Sequence, residues 1–525
     1  MNCRLIYSIL GVYCYHLPPT SSVRTAPAYH NMHLHKASPE AREEGNHQAP
    51  SESTPLLAES SKHASGSHND DSHFHYDWVS ELRLLLQYSI PLVATYLLQY
   101  TWSVIVTFIA GHLSADDLAA ASVGITTMNI AGFAIFEGMA TALDTLCSQA
   151  YGSNNPTGVG LHVQRMLILM AIASIPIGAI WAASPKILML FVKQEHLAVM
   201  SGTFLRVSIL GIPGYASFEA LKRFLQAQGN FQVAMVILLI CTPINAFASW
   251  FFAFQLEMGL VGAALGIAFT NTLRPILLIL YIVLPTGRWS HQCWGGFSRA
   301  AWTNWKPMVR LSFAGSAVNL AEWGCFQIVA FSTSHLSTRH LAAQSVLTTI
   351  SMVTWHIPFS MSVGISTRIG HLIGAGLVGT ARRAATLYAI VFTTVGCIDC
   401  VALYSLQHYI LGFFLEDSTR QVYALAASTM GVVSLFQIID AFICFTNGIL
   451  RGLGRQSIAA CIVIVVNYTA AVPLALWLEL GPPRLELPGA WTGVASGMII
   501  VAIIECCYMK MLRWDRCVDR VRKLL

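Results

Sequence analysis

Charge is what this sequence has least of. Asp, Glu, Lys and Arg make up 11% of its 525 residues, where an average soluble domain carries about a quarter, and 55% of the chain is hydrophobic. That balance excludes a soluble globular protein, and no nucleic-acid partner is expected. A cysteine framework is also missing: the thirteen cysteines fall mostly inside apolar runs without regular spacing, the pattern of small buried residues. Cys397 and Cys400 in CIDC lie within such a run with no second pair nearby, so neither a metal nor redox chemistry is assigned to them. Two carboxylate clusters close together, which a Mg²⁺- and diphosphate-dependent membrane transferase needs, are missing as well. Asp116 and Asp117 stand together in a short loop, without a second acidic cluster beside them.

What is present is a polar beginning followed by a train of apolar runs. Residues from about Thr20 to Tyr76 are rich in Ser, Pro, Ala, Asn and His and offer too little apolar surface to offset the entropy of ordering them. Residues 1–80 are therefore expected to form a disordered tail. Its opening, MNCRLIYSILGVYCYHLPPT, is similar to a weak signal peptide, but polar sequence follows it rather than a folded lumenal domain. Nine of the eighteen histidines fall in this tail, which its polarity accounts for.

A membrane helix needs about 20 mainly apolar residues, and twelve runs qualify: 88–111, 118–142, 162–183, 198–220, 231–254, 260–284, 309–331, 341–364, 384–407, 422–447, 457–478 and 489–511. Linkers after even-numbered spans and the C-terminal tail hold most of the basic residues near the membrane, including Lys222, Arg223, Arg382, Arg383, Arg451 and Arg455; the odd linkers hold five. Basic residues beside spans stay in the cytoplasm, so both termini are expected there.

The chain also repeats itself. HLSADDLAAASV (112–123) and HLSTRHLAAQSV (335–346) agree at eight of twelve positions across a shift of 223 residues. The correspondence continues from AYG at Gly152 to LIG at Gly374, from QAQG at Gly229 to RGLG at Gly454, and from LVGAAL at Gly262 to ELPGAW at Gly489. Six spans per repeat send both halves into the membrane in the same direction, with a symmetry axis along the membrane normal. The fold class is thus an all-α membrane protein: twelve transmembrane helices in two six-helix parallel-repeat bundles around a V-shaped central cleft. Its expected parts are an N-lobe (85–284), a cytoplasmic linker (285–307), a C-lobe (308–512) and a short basic tail (513–525). Two similar bundles facing one cleft suit alternating access about a site near the midplane.

Ionisable groups in hydrocarbon normally face a cavity or a partner, which makes the informative acids few. Asp144, beside Thr145, Ser148 and Gln149, is as well placed to anchor the next loop as to touch a ligand. Glu219 is one turn from Lys222 and Arg223, where a local ion pair is favoured. Glu505 lies five residues from Lys510 and could approach the interface. Glu322 and Asp440 stand apart. Each lies about 16 to 18 Å, at roughly 1.5 Å per residue, from the basic residue marking its helix's cytoplasmic end, among apolar neighbours that disfavour the charged form. A proton could be taken up and released there. Under the repeat, Glu322 falls opposite Gln99 and Asp440 opposite Tyr215, so the titrating pair belongs to the C-lobe, with a structural polar network as the bland alternative. Glu137 is the first-lobe acid candidate. Tyr100, Trp323, Phe326 and Trp355 could hold an organic cation on their ring faces, although aromatics are common in membrane helices regardless. Pro91, Pro213, Pro243, Pro358 and Pro473 fall in or near spans and are expected to kink them.

Four blocks carry a family resemblance: ALDTLCSQAYGS (142–153), KRFLQAQGN (222–230), STRIGHLIGAG (366–376) and IIDAFICFTNGILRGLGRQ (438–456). They resemble the signature blocks of the multidrug and toxic compound extrusion family, eukaryotic and fungal-like branch, and the resemblance spans roughly residues 85 to 512. It implies a V-shaped antiporter that expels small organic, mostly cationic, compounds across a lipid bilayer in exchange for protons, without a cofactor. The same carboxylates would serve Na⁺. On this resemblance the family's essential acids fall on Glu322 and Asp440. The aspartate that many bacterial members carry in the first span would fall near Val106, and span 11 lacks the glycine-rich opening usual among relatives. ESTPLL in the tail is similar to an acidic dileucine signal, so Glu52, Leu56 and Leu57 would bind a sorting adaptor and favour the vacuolar over the plasma membrane. A monomer is expected. A lipid flippase of the same superfamily is the nearest rival, ahead of the transferase.

Overall fold

In the computed structural model the described residues are 77–190, 194–284, 292–415 and 420–524. The tail, with its dileucine-like and histidine-rich stretches, lies outside them. Twelve long helices run through these residues: α1 (Trp78–Leu113), α2 (Ala115–Gly152), α3 (Pro156–Ala182), α4 (Glu195–Ala227), α5 (Gln232–Gln255), α6 (Gly259–Val283), α7 (Lys306–Thr333), α8 (Thr338–Gly374), α9 (Val378–Ser405), α10 (Arg420–Gly452), α11 (Gln456–Leu480) and α12 (Glu486–Met511). A final short helix, α13 (Asp515–Leu524), follows. Eleven of the twelve are long and apolar enough to cross a membrane by those criteria alone; α7 falls short because Ser312, Ser316, Asn319, Glu322 and Gln327 dilute it. That dilution is what fits α7 to line a cavity.

The helices outrun the expected spans, beginning ten residues earlier in α1, because the ends extend past the hydrocarbon on capped polar turns. The repeated HLS accounts for two of these caps. Ser114 and Ser337 are both extended (φ −161 and −169) and accept from Asp117 N–H and His340 N–H, starting α2 and α8 alike. A side-chain acceptor here satisfies a donor that the first turn leaves free. The matched glycines of QAQG and RGLG, Gly229 and Gly454, both take positive φ after α4 and α10, which a side chain would oppose. Pro91, Pro243 and Pro358 lie within α1, α5 and α8, whereas Pro213 follows a 3₁₀ turn in α4 and Pro473 a π turn in α11.

Two departures from expectation have clear causes. The basic tail is helical: Trp514, Cys517, Val518 and Val521 recur on one face and bury it against the ends of α8 and α9. Glu505, expected near the interface, is wholly buried in the C-lobe and accepts a hydrogen bond from Thr446 of α10. Its position facing α10 outweighs its closeness in sequence to Lys510.

The lobes meet along a seam in which small residues let backbones touch. A Cβ on Gly138 of α2 would lie 2.4 Å from Ser316 Cα of α7, and one on Gly152 would lie 2.2 Å from the carbonyl oxygen of His371 of α8. Polar ties reinforce the seam at the ends carrying the even linkers. Thr145 donates to the Arg451 carbonyl at 2.6 Å, Gln149 to the Gly452 carbonyl at 2.9 Å, and Gln456 to Thr141 at 2.5 Å. The principal contacts between lobes run from these ends to about the middle of the helices, the farthest being the ring contact of Tyr100 with His356 at 5.4 Å. The two bundles therefore form a V closed at the even-linker end.

At that end α1 is fastened to the other lobe by a buried ion pair. Arg368 of α8 reaches Glu81 through Nε at 2.8 Å and Nη2 at 2.9 Å, and Tyr388 of α9 donates to the same carboxylate at 2.5 Å. Removing one partner strands a buried charge, a loss of roughly 3 to 5 kcal/mol. Glu81→Ala is thus expected to lower the thermal midpoint of the detergent-purified protein by several degrees, with Glu81→Ala/Arg368→Met recovering part of it. An unchanged midpoint in the single variant would show that the pair is not anchoring α1.

Candidate functional site

The first lobe holds most of its buried charges in bonded sets. On α4, Lys222 bonds Glu219 at 2.8 Å; Gln99 of α1 donates to the same carboxylate oxygen at 3.1 Å and accepts from Lys222 at 3.4 Å. Tyr215, also on α4, donates to Glu137 of α2 at 2.9 Å and stacks on Phe133 at 3.7 Å between parallel rings. Phe133 ends the π turn Asn129–Phe133, the kind of irregularity that re-aims a helix face near functional positions. Arg274 of α6 fits among Trp102, Tyr215 and Phe218 at 4.5 to 5.1 Å from their ring centres. Asp144 is held by Arg223 of its own lobe at 3.2 Å and by Arg451 of the other at 3.4 Å. It anchors the seam more than the adjoining loop.

The second lobe is arranged differently. A cavity opens within it, walled by α7, α8, α10 and α12. Glu322 of α7 and Asp440 of α10 both line it, with Trp323, Phe326 and Trp355 among the aromatic wall. Phe326, Phe436 and Trp491 pack mutually at 5.5 to 6.1 Å between ring centres, and Trp491 is fixed by donating to Gln344 at 2.8 Å. Neither Glu322 nor Asp440 has an ion-pair partner among the described residues. Arg451, at the cavity's seam end, already bonds Asp144. A carboxyl group bordering open space without a fixed counter-ion can take a proton or a cation; one locked to a lysine, as Glu219 is, has its charge already matched.

The cavity thus lies inside the C-lobe rather than between the lobes. Glu137, Gln99 and Tyr215 sit apart from it in the first-lobe network, and Tyr100 packs on His356 instead of lining it. Sequence reasoning passed over Asn319, Ser351, Met352, Phe436, Asn447 and Trp491, which also line it. Asn319 and Asn447 were findable, since each falls on the helical face of a singled-out acid: three residues before Glu322 and seven after Asp440. Trp491 gave no such signal.

Comparison with known proteins bears on this geometry. The family model MatE matches the chain twice, over residues 91–251 and 316–477, one match per lobe. An uncharacterized transporter of Schizosaccharomyces pombe is 37% identical over 447 residues, 84% of this chain and 81% of that protein. Human multidrug and toxin extrusion protein 1 is 27% identical over 437 residues, covering 83% and 76%. Among solved structures, a eukaryotic MATE transporter superposes with a TM-score of 0.80 at 23% identity, over 85% of this chain and 99% of that one. A MOP superfamily transporter from Pyrococcus furiosus gives 0.73 at 15% identity, over 84% and 97%.

Proposed function

The chain belongs to the MatE family of multi-pass membrane transporters, not to any class of enzyme, and from that premise we propose that it is a proton-coupled antiporter exporting small organic cations by alternating access. The observation that carries this reading is the C-lobe cavity, where Glu322 and Asp440 face common space without fixed counter-ions while aromatic rings form the remaining wall. A carboxylate bordering a cavity can hold a proton or a cationic cargo, and the two compete for the same negative charge. Ring faces add attraction for organic cations. Alternating occupancy of one acid pair is the simplest form of exchange. Closure of the V at one end supports a cycle in which the seam opens as the other end closes. The positive charge at the seam end supports a cytoplasmic position for that end and for both termini, and ESTPLL in the tail favours the vacuolar membrane.

Purified protein reconstituted into liposomes is expected to drive accumulation of a fluorescent organic cation when a pH gradient is imposed, with dissipation of the gradient in return. A Na⁺ gradient at equal pH should be much less effective. Equal driving by both ions would make the carrier ion-promiscuous, and no uptake with either would sink the antiport reading.

A further inference from the structure

Trp491, Met498 and Glu505 recur every seven residues along α12 and so lie on one stripe of that helix. The first two line the C-lobe cavity. Glu505, wholly buried, continues the stripe two turns, roughly 10 Å, further toward the even-linker end. Across from it, α10 lines the cavity from Phe436 down to Arg451, and Thr446, whose hydroxyl bonds the Glu505 carboxyl, falls within that stretch. Glu505 therefore stands level with the seam-end part of the cavity, roughly 9 Å beyond Asp440 along α10.

Its bonding is half complete. Thr446 meets one carboxyl oxygen, Oε2; the other, Oε1, is buried without a hydrogen-bond partner. Glu479 of α11 shows the alternative, a buried carboxyl with both oxygens occupied: Ser332 bonds one and Thr333, at 2.6 Å, the other. Glu505 has no ion-pair partner among the described residues either. α12 packs on α7, α10 and α11. Toward the even-linker end these carry Glu322 and exposed Arg310 on α7, Asp440, Cys444 and Arg451 on α10, and exposed Cys461 on α11, with half-buried Arg455 just before it; α12 itself carries Cys506, Cys507, Tyr508 and exposed Lys510. Arg451, the one cation among the cavity's lining residues, already bonds Asp144.

An ionised carboxylate enclosed in this way, with no cation bonded to it, is costly, and a neutral carboxyl much less so. The Thr446 hydroxyl suits either form. It has one hydrogen and two oxygen neighbours, Oε2 of Glu505 and the Ile443 carbonyl at 3.0 Å. Turned to Glu505, it donates to the carboxylate; turned to Ile443, it accepts from the protonated carboxyl. Rotation about a single C–O bond thus accommodates the arrival or departure of a proton while both helices stay in place.

We propose that Glu505, paired with Thr446, is a third proton-holding residue of the exchange, standing between the Glu322 and Asp440 pair and the even-linker end. Its place in the cycle rests on the antiport reading; its ability to hold a proton does not. Each transfer exchanges an O–H bond of the carboxyl for one of water, and the proton is the only particle moved.

Infrared titration of the purified full-length protein tests the site without transport, because a protonated carboxyl has a carbonyl band of its own. Glu505→Gln, which keeps size and polarity, should remove one titrating component, and that component should survive in Glu322→Gln/Asp440→Asn. Thr446→Val should shift it and leave its amplitude; should Glu505→Gln fail to fold, this second variant decides, since the carboxyl stays in place. In liposomes Glu505→Gln should lower the initial rate of proton-driven uptake of an organic cation on the order of 100-fold and take one step out of its pH profile, with the thermal midpoint unchanged. The proposal fails if the titrating component survives in Glu505→Gln, if Thr446→Val leaves the titration where it was, or if the pH profile of Glu505→Gln matches that of the wild type. A wild type without proton-driven uptake overturns the antiport reading and the role in exchange with it; an active wild type beside an unaltered variant overturns the Glu505 assignment alone.

Discussion

Glu322→Gln is expected to reduce proton-driven accumulation of an organic cation to the level of protein-free liposomes, and Asp440→Asn to do the same. Each substitution keeps the size and polarity of the side chain and removes only its ability to lose a proton. Both residues border open space in the C-lobe, so no packed neighbour has to move and no ion pair is broken. Expression and thermal midpoint should therefore stay near those of the wild type, which separates loss of coupling from loss of fold. Because the two groups border one cavity, the double variant should be no worse than either single one; such non-additivity is the mark of residues that act together. Glu219→Gln gives the contrast. It strands Lys222, buried and bonded to Glu219 at 2.8 Å, and should lower stability first and transport only in consequence. Accumulation that survives in Glu322→Gln would remove that residue from the exchange and leave Asp440 to carry it alone.

Gly138→Val should prove nearly as damaging, for a mechanical reason. Its Cβ would fall 2.4 Å from Ser316 Cα and 2.5 Å from Ser316 N, which are backbone atoms of α7 and cannot rotate away. The clash exists only while the lobes touch along this seam, so the penalty falls on one conformation of the carrier and not on the other. Overpacking of this kind costs about 1 to 3 kcal/mol, enough to shift a balance between two states roughly 5- to 150-fold. In paired backgrounds differing only at residue 138, a cysteine placed at Thr145 in the seam should become much more accessible to a maleimide when valine is present. Turnover in liposomes should fall with it. Gly431→Val is the control, because a Cβ there meets nothing within 4 Å. If Thr145 stays protected in the Gly138 variant, the lobes do not part along α2 and α7.

Much of this was legible in the sequence because it depends on local or periodic features. Low charge and long apolar runs dictate membrane helices, and the 223-residue repeat dictates two like bundles; Ser114 and Ser337 cap corresponding helices because a serine before an apolar run does so wherever it occurs. Glu322 and Asp440 could be singled out since a carboxyl deep in hydrocarbon needs a reason to be there.

What the tertiary structure decided is which of the buried polar groups meet. Glu137 and Glu322 look alike in sequence, yet Glu137 is tied to Tyr215 while Glu322 faces a cavity. Asp144 proves to bridge two lobes through arginines 79 and 307 residues away, and Trp491 becomes part of the cavity wall. Helix periodicity fixes the direction of a side chain about its own axis, but not which helix stands opposite. That choice follows from the close approach of backbones at Gly138 and Gly152, whose fit depends on all the helices packing at once.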